Sequence, residues 1–192
     1  MVGPDVWMDT ESNPDFIEDP TLYRAWRMQA AAEGLRVRIG RWNVPGKPTA
    51  ILVDFKQFLT RQNEIMTEYW KRFGVDSLTG NWDYRESALF GYAAGRVIES
   101  FYNFNLEASD KVVAQFHEWM TGTGLLYLKS ANVPIATVFT THATVIGRCI
   151  AGNNLPLYDG MMNWNADEKA RHFNVVARHS LEKKAAQNSD RL

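Results

Sequence analysis

Cys149 is the only cysteine in the 192 residues, so no internal disulfide can form, and a reducing, cytoplasmic setting is expected. No apolar run approaches the roughly 18 to 20 residues that a bilayer-spanning helix needs. The opening MVGPDVWMDTESNPD is too polar and acidic for a signal peptide, and no N-x-S/T sequon occurs. Neither sign of charge dominates: 21 basic residues are interspersed with 22 acidic ones, which argues against a broad electrostatic footprint for nucleic acid or anionic lipid. GxGxxG, Walker and GxSxG patterns are all missing, so a dinucleotide dehydrogenase, an NTPase and an α/β-hydrolase each lose their main sequence support. There is no internal repeat, low-complexity tract or linker.

What is present suits one soluble domain with a substantial core, since 45% of the residues are apolar and 22% charged. Residues 1–20 hold three of the seven prolines among acidic residues and read as an irregular lead-in. Thr21 is a candidate N-cap for a helix closed by Gly34. RVRIGRW and TAILVDF read as two strands, separated by the turn chemistry of Asn43, Pro45, Gly46 and Pro48. Helical spacing of Ile65, Met66, Tyr69, Trp70 and Phe73 predicts a helix over residues 62–73. Another is expected over 87–104, with Gly91, Ala94 and Gly95 fitting close approach to a sheet.

KVVAQF then reads as a buried strand, TGTGLLYLKSAN as a helix and PIATVFTT as a second buried strand. A short helix is expected over 144–151 before Gly152. A long amphipathic one over 165–187 begins at Asn165, with Asp167 and Glu168 early and Lys183 and Lys184 late. Alternating strands and helices predict an α/β fold with a mostly parallel sheet.

Parallel strands joined by a helix run the same way, so His117 after KVVAQF and His142 after PIATVFTT should emerge together at the carboxyl edge of one sheet. That edge is where open α/β sheets bind ligands. A partly buried imidazole satisfied by a backbone carbonyl explains one such histidine as well; for two, the readings are evenly matched. HEWMT is no HExxH zinc motif, because Thr121 stands where the second histidine is needed, and no CxxC occurs, so no metal site is expected. Arg148 suits either a surface ion pair or a phosphate or hydroxyl contact. Trp119 suits packing or stacking on a sugar face, and Glu118 suits a helix-start carboxylate or a hydrogen-bond acceptor. Cys149 reads as a core thiol, and His172 and His179, flanked by Arg171 and Arg178, as a solvated basic face. An unrelated α/β enzyme using the two edge histidines as acid and base would lack a nucleophile motif.

The segments GRWNVPGKPTAILVDF, AQFHEWMTGTGLLYLKSANVPIATVFTTHATVIGR and NWNADEKARHFNVVARHSLEKKAAQNSD resemble, in order and spacing, the N-terminal domain of animal and fungal glycogen synthases, glycosyltransferase family 3. The resemblance implies a GT-B architecture of two Rossmann-like domains, with residues 1–192 forming part of the first. It implies retaining transfer of glucose from a nucleotide glucose, usually UDP-glucose, to an α-1,4-glucan without cofactor or metal. His117 would face the donor sugar and stabilise the oxocarbenium-like transition state. Glu118, Trp119, Thr141, His142, Thr144 and Arg148 would line the substrate site.

The chain departs from the family in ways that matter. It has no Gly-Gly, and nothing matches the glycine-rich loop after the family's first strand. Nor does anything match the second, nucleotide-binding domain, with its Arg/Lys pair, glutamate motif and arginine-rich helix. The chain is therefore expected to be a truncated N-terminal domain, inactive alone, whose exposed sheet edge leaves homo-oligomerisation open. The alternative implied by the same fold is a non-catalytic glucan-binding or interaction module.

Overall fold

The computed structural model describes residues 1–6 and 15–192. Two sheets and seven α-helices make up the fold among these residues. In the first sheet β1 (Val2–Pro4) runs parallel to β4 (Thr49–Val53). β4 is antiparallel to β3 (Val37–Trp42), and β3 to β2 (Phe16–Glu18), giving the order β1-β4-β3-β2. The second sheet pairs β5 (Val113–His117) with β6 (Ala136–Thr140) in parallel. The α/β class is as expected. Parallel pairing holds for β1 and for the β5–β6 unit, whereas β2, β3 and β4 form an antiparallel meander around the turn at Gly46, which has φ 85°.

α1 (Arg24–Ala32) starts three residues after Thr21, because Tyr23 takes the N-cap position and Thr21 is occupied with Asp19. The lead-in is not wholly irregular, since β1 and β2 lie within residues 1–20; residues 7–14 of that stretch fall outside the described residues. α2 (Gln62–Phe73) matches its predicted span and closes on Gly74 in the left-handed region. α3 (Trp82–Asn105) starts five residues earlier than predicted. The Asn81 side chain accepts the Tyr84 N–H there at 3.1 Å, a cap that the apolar stripe alone did not reveal.

α3 is the axis of the main core. Trp26 of α1 is fully buried and donates its indole N–H to Ser100 at 3.1 Å, the one polar atom of that indole being satisfied. The small residues of α3 meet a helix rather than a sheet: a Cβ built at Gly95 would lie 2.9 Å from the Gly124 carbonyl, and one at Gly124 would lie 2.6 Å from the Gly91 carbonyl. The partner is α4 (Gly122–Ser130), which links β5 to β6.

α5 (Val145–Gly152) follows β6 as expected. The long terminal helix is instead two: α6 (Ala166–His172), capped by Asn165, and α7 (Val176–Asn188). They are separated at Asn174, whose φ of 56° is tolerated by asparagine and ends the first helix. α7 packs on α4 through Leu181 and Ala185, both fully buried. No helix among the described residues is long and apolar enough to cross a membrane.

Candidate functional site at the carboxyl end of the parallel pair

The alternation along β5 sets the site. Ala114 and Phe116 turn into the core while Val113, Gln115 and His117 face outward, so the strand's last residue presents an exposed imidazole. His117 pairs in register with Thr140, the last residue of β6. Two residues later comes His142, also exposed. The two rings stack, with centroids 6.0 Å apart and planes within 6° of parallel. The parallel pairing of β5 and β6 thus brings the two histidines to the same rim.

The backbone turns sharply after His117. Glu118 has φ 63° and ψ 166°, a region that is essentially glycine's own. Several bonds hold it there. Its N–H donates to the Thr140 carbonyl at 2.8 Å, and Thr121 Oγ1 lies 2.8 Å from the His117 carbonyl and 3.2 Å from that of Glu118. The Glu118 side chain folds toward the opposite loop: Oε1 accepts the His142 N–H at 2.9 Å, and Oε2 lies 3.4 Å from Thr141 Oγ1. Glu118 therefore couples the two histidine-bearing loops.

Trp119 stacks on Tyr84, with centroids 6.0 Å apart and planes at 7°, and carries the Arg178 guanidinium 5.2 Å from its ring centroid. Arg178 also pairs with Asp83 at 3.5 Å. Thr144 is the N-cap of α5, its hydroxyl accepting the Gly147 N–H at 3.1 Å. Arg148 is exposed, and its Nε reaches the Ala143 carbonyl at 3.4 Å. A cavity of about 330 Å³ opens beside the rim, lined among others by Glu118, Trp119, Ala143, Arg148, Cys149 and Arg178. The imidazoles are not among its lining residues; they stand on the open rim. Cys149 is half-buried and lines this cavity rather than sitting in the core as expected; partial burial pushes its thiol above the ordinary pKa. Among the described residues no three His, Cys, Asp or Glu side chains group as metal ligation would require.

The seven sequence-predicted residues thus lie at the end of β5, in the segments that follow β5 and β6, and, for Arg148, in the first turn of α5, with the His117 and His142 rings stacked. Sequence reasoning missed Glu182 of α7. It is 6% exposed, its carboxylate accepts the Val145 N–H at 3.0 and 3.2 Å, and Oε1 lies 3.3 Å from Thr141 Oγ1. Burial raises its pKa, offset by the Val145 and Thr141 hydrogen bonds. Beside Lys183 and Lys184, Glu182 carries no sequence signal that sets it apart from a solvated charge. His179 of the same helix is not simply solvated, for its Nε2 sits 2.9 Å from Asp167.

A parallel βαβ unit with a mixed sheet beside it gives the chain the α/β architecture of a Rossmann-like domain. The family model described as Glycogen synthase matches residues 1–192, and the chain belongs to the glycogen synthase family. It is 35% identical over 156 residues to a glycogen [starch] synthase of Dictyostelium discoideum, covering 81% of this chain and 17% of that protein. With the liver glycogen [starch] synthase of Rattus norvegicus it shares 30% identity over 151 residues, 78% of this chain and 21% of the other. Isoform 2 of the Saccharomyces cerevisiae enzyme is 28% identical over 160 residues, 83% of this chain and 22% of that protein. The chain spans about a fifth of the length of these relatives.

Proposed function

We propose that residues 1–192 form part of the N-terminal domain of a GT-B glucosyltransferase and furnish one wall of its donor-sugar site. The full activity is retaining transfer of glucose from a nucleotide glucose, UDP-glucose in the first instance, to the non-reducing end of an α-1,4-glucan in the cytoplasm. The observation that carries this reading is the stacked, exposed pair His117 and His142 at the carboxyl rim of a parallel strand pair, in a chain of this family. His117 hydrogen-bonds the donor glucose and stabilises the positive charge that develops at its anomeric carbon, while His142 supports the ring from behind. Thr144 and Arg148, at the start of α5, offer hydroxyl and guanidinium donors, Thr141 offers a hydroxyl oxygen whose proton is turned to the carboxylates beside it, and Glu118 and Trp119 shape the first loop. The catalytic contribution is positioning and preorganised donors rather than a protein nucleophile.

Calorimetry of the 192-residue chain against maltoheptaose and UDP-glucose tests the reading, with glucose transfer to a glycogen primer measured on the full reading frame. Binding of the glucan to the chain, with transfer by the full reading frame, is expected. Failure of the chain to bind either ligand, together with no transfer, would overturn it.

A further inference from the structure

We infer that Glu182 is a positioning residue for the His117–His142 pair, holding residues 141–145 jointly with Glu118; the kinetic consequence rests on the functional reading above. Two carboxylates converge on one hydroxyl. Thr141 Oγ1 lies 3.3 Å from Glu182 Oε1 and 3.4 Å from Glu118 Oε2, and its single proton can serve only one of them at a time. The remaining oxygens fasten the backbone on either side of the ring: Glu118 Oε1 takes the His142 N–H at 2.9 Å, and Glu182 Oε2 takes the Val145 N–H at 3.0 Å. His142 is thus held from its own amide, from the preceding side chain and from three residues downstream.

Capping of the Val145 N–H at the start of α5 accounts for only part of what Glu182 does. The N-terminus of α5 already has its cap in Thr144, which accepts the Gly147 N–H. A carboxylate buried to 6% exposure is a costly way to satisfy one further N–H, and a neutral acceptor would serve. What Glu182 adds is the reach to Thr141, and through it to Glu118 and the His117 loop.

The same turn of α7 touches the other loop as well. Leu181 and Ala185 pack where α4 begins, both within 3.2 Å of a Cβ built at Gly122, five residues after His117. Leu181 and Glu182, adjacent on α7, therefore contact the segments that follow β5 and β6 respectively. One rigid helix turn sets the distance between the two imidazoles, which is what keeps two exposed rings stacked.

The test uses Glu182→Gln and Thr141→Val, with the imidazole C–H resonances of the 192-residue chain followed by NMR and kcat and donor KM measured on the full reading frame. Both variants are expected to move the His117 and His142 resonances while His172, exposed against Phe173, stays in place. kcat should fall at least fivefold with KM within twofold of the parent value. Unmoved His117 and His142 resonances in both variants would overturn the inference, as would a fall confined to KM. Should Glu182→Gln fail to fold, Thr141→Val, which leaves both carboxylates in place, decides alone. Failure of the functional reading looks different: maltoheptaose and UDP-glucose would then leave both imidazole resonances of the unsubstituted chain unmoved.

Discussion

Replacing Glu118 by alanine and by glycine separates its two properties, a strained backbone and a bridging carboxylate. Both variants lose the hydrogen bond to the His142 N–H, so the difference between them isolates the backbone. Alanine keeps a Cβ at φ 63° and ψ 166°, where a non-glycine residue costs about 1–3 kcal/mol. Glycine removes that cost but gives the unfolded chain extra freedom worth about 0.4–1 kcal/mol. The balance leaves Glu118→Gly more stable than Glu118→Ala by about 0.5–2 kcal/mol, or about 1–8 °C in Tm for a chain of this size. Thermal unfolding of the two variants followed by circular dichroism measures it directly. Equal stabilities, or a more stable alanine variant, would show that the turn after β5 is unstrained and that the interlocking bonds around Glu118 are not holding it against a preference.

Gly124→Ala places a Cβ 2.6 Å from the Gly91 carbonyl and 2.9 Å from the Phe116 ring, so α3 and α4 must separate; a loss of about 1–3 kcal/mol is expected in urea titration. Leu181→Ala empties a fully buried site on α7 and should cost about 2–5 kcal/mol in the same assay. Asp190 is held well below its ordinary pKa by Lys129 and by the backbone and hydroxyl of Thr137. Its contribution is therefore present above the unfolded carboxylate pKa and lost as pH falls through the folded one, so Asp190→Asn should lower Tm at pH 7 and converge on the parent in strong acid. Glu182 has the opposite sign: burial raises its pKa, so its contribution is greatest below the unfolded value and declines as pH rises through the folded one. The Tm of the parent relative to Glu182→Gln should accordingly fall between acid and neutral pH.

Local pattern carried far in this chain where one rule acted alone. KVVAQFH and PIATVFTTH are short apolar runs bracketing a helix, and the parallel pairing that a helical crossover allows brings their ends to one rim, so the proximity of His117 and His142 was legible in the sequence. Where two rules competed, the reading slipped. Residues 165–187 keep a helical pattern throughout, yet Asn174 enters the left-handed region, which asparagine tolerates, and splits the segment into α6 and α7. Gly91 and Gly95 were recognisable as sites of close approach, but nothing local says whether the neighbour is a sheet or a helix. Glu182 was illegible for a related reason. Among Lys183, Lys184 and Arg178 it looks like one more solvated charge, and only the tertiary placement of α5 against α7 turns it inward.

His117 is the residue on which the account depends, and the turnover of His117→Ala in the full reading frame tests it most directly. With the fold verified by circular dichroism, the account predicts at least a tenfold fall in glucose transfer, the loss of one transition-state hydrogen bond being worth about 2–4 kcal/mol. Turnover close to that of the unsubstituted protein would contradict it.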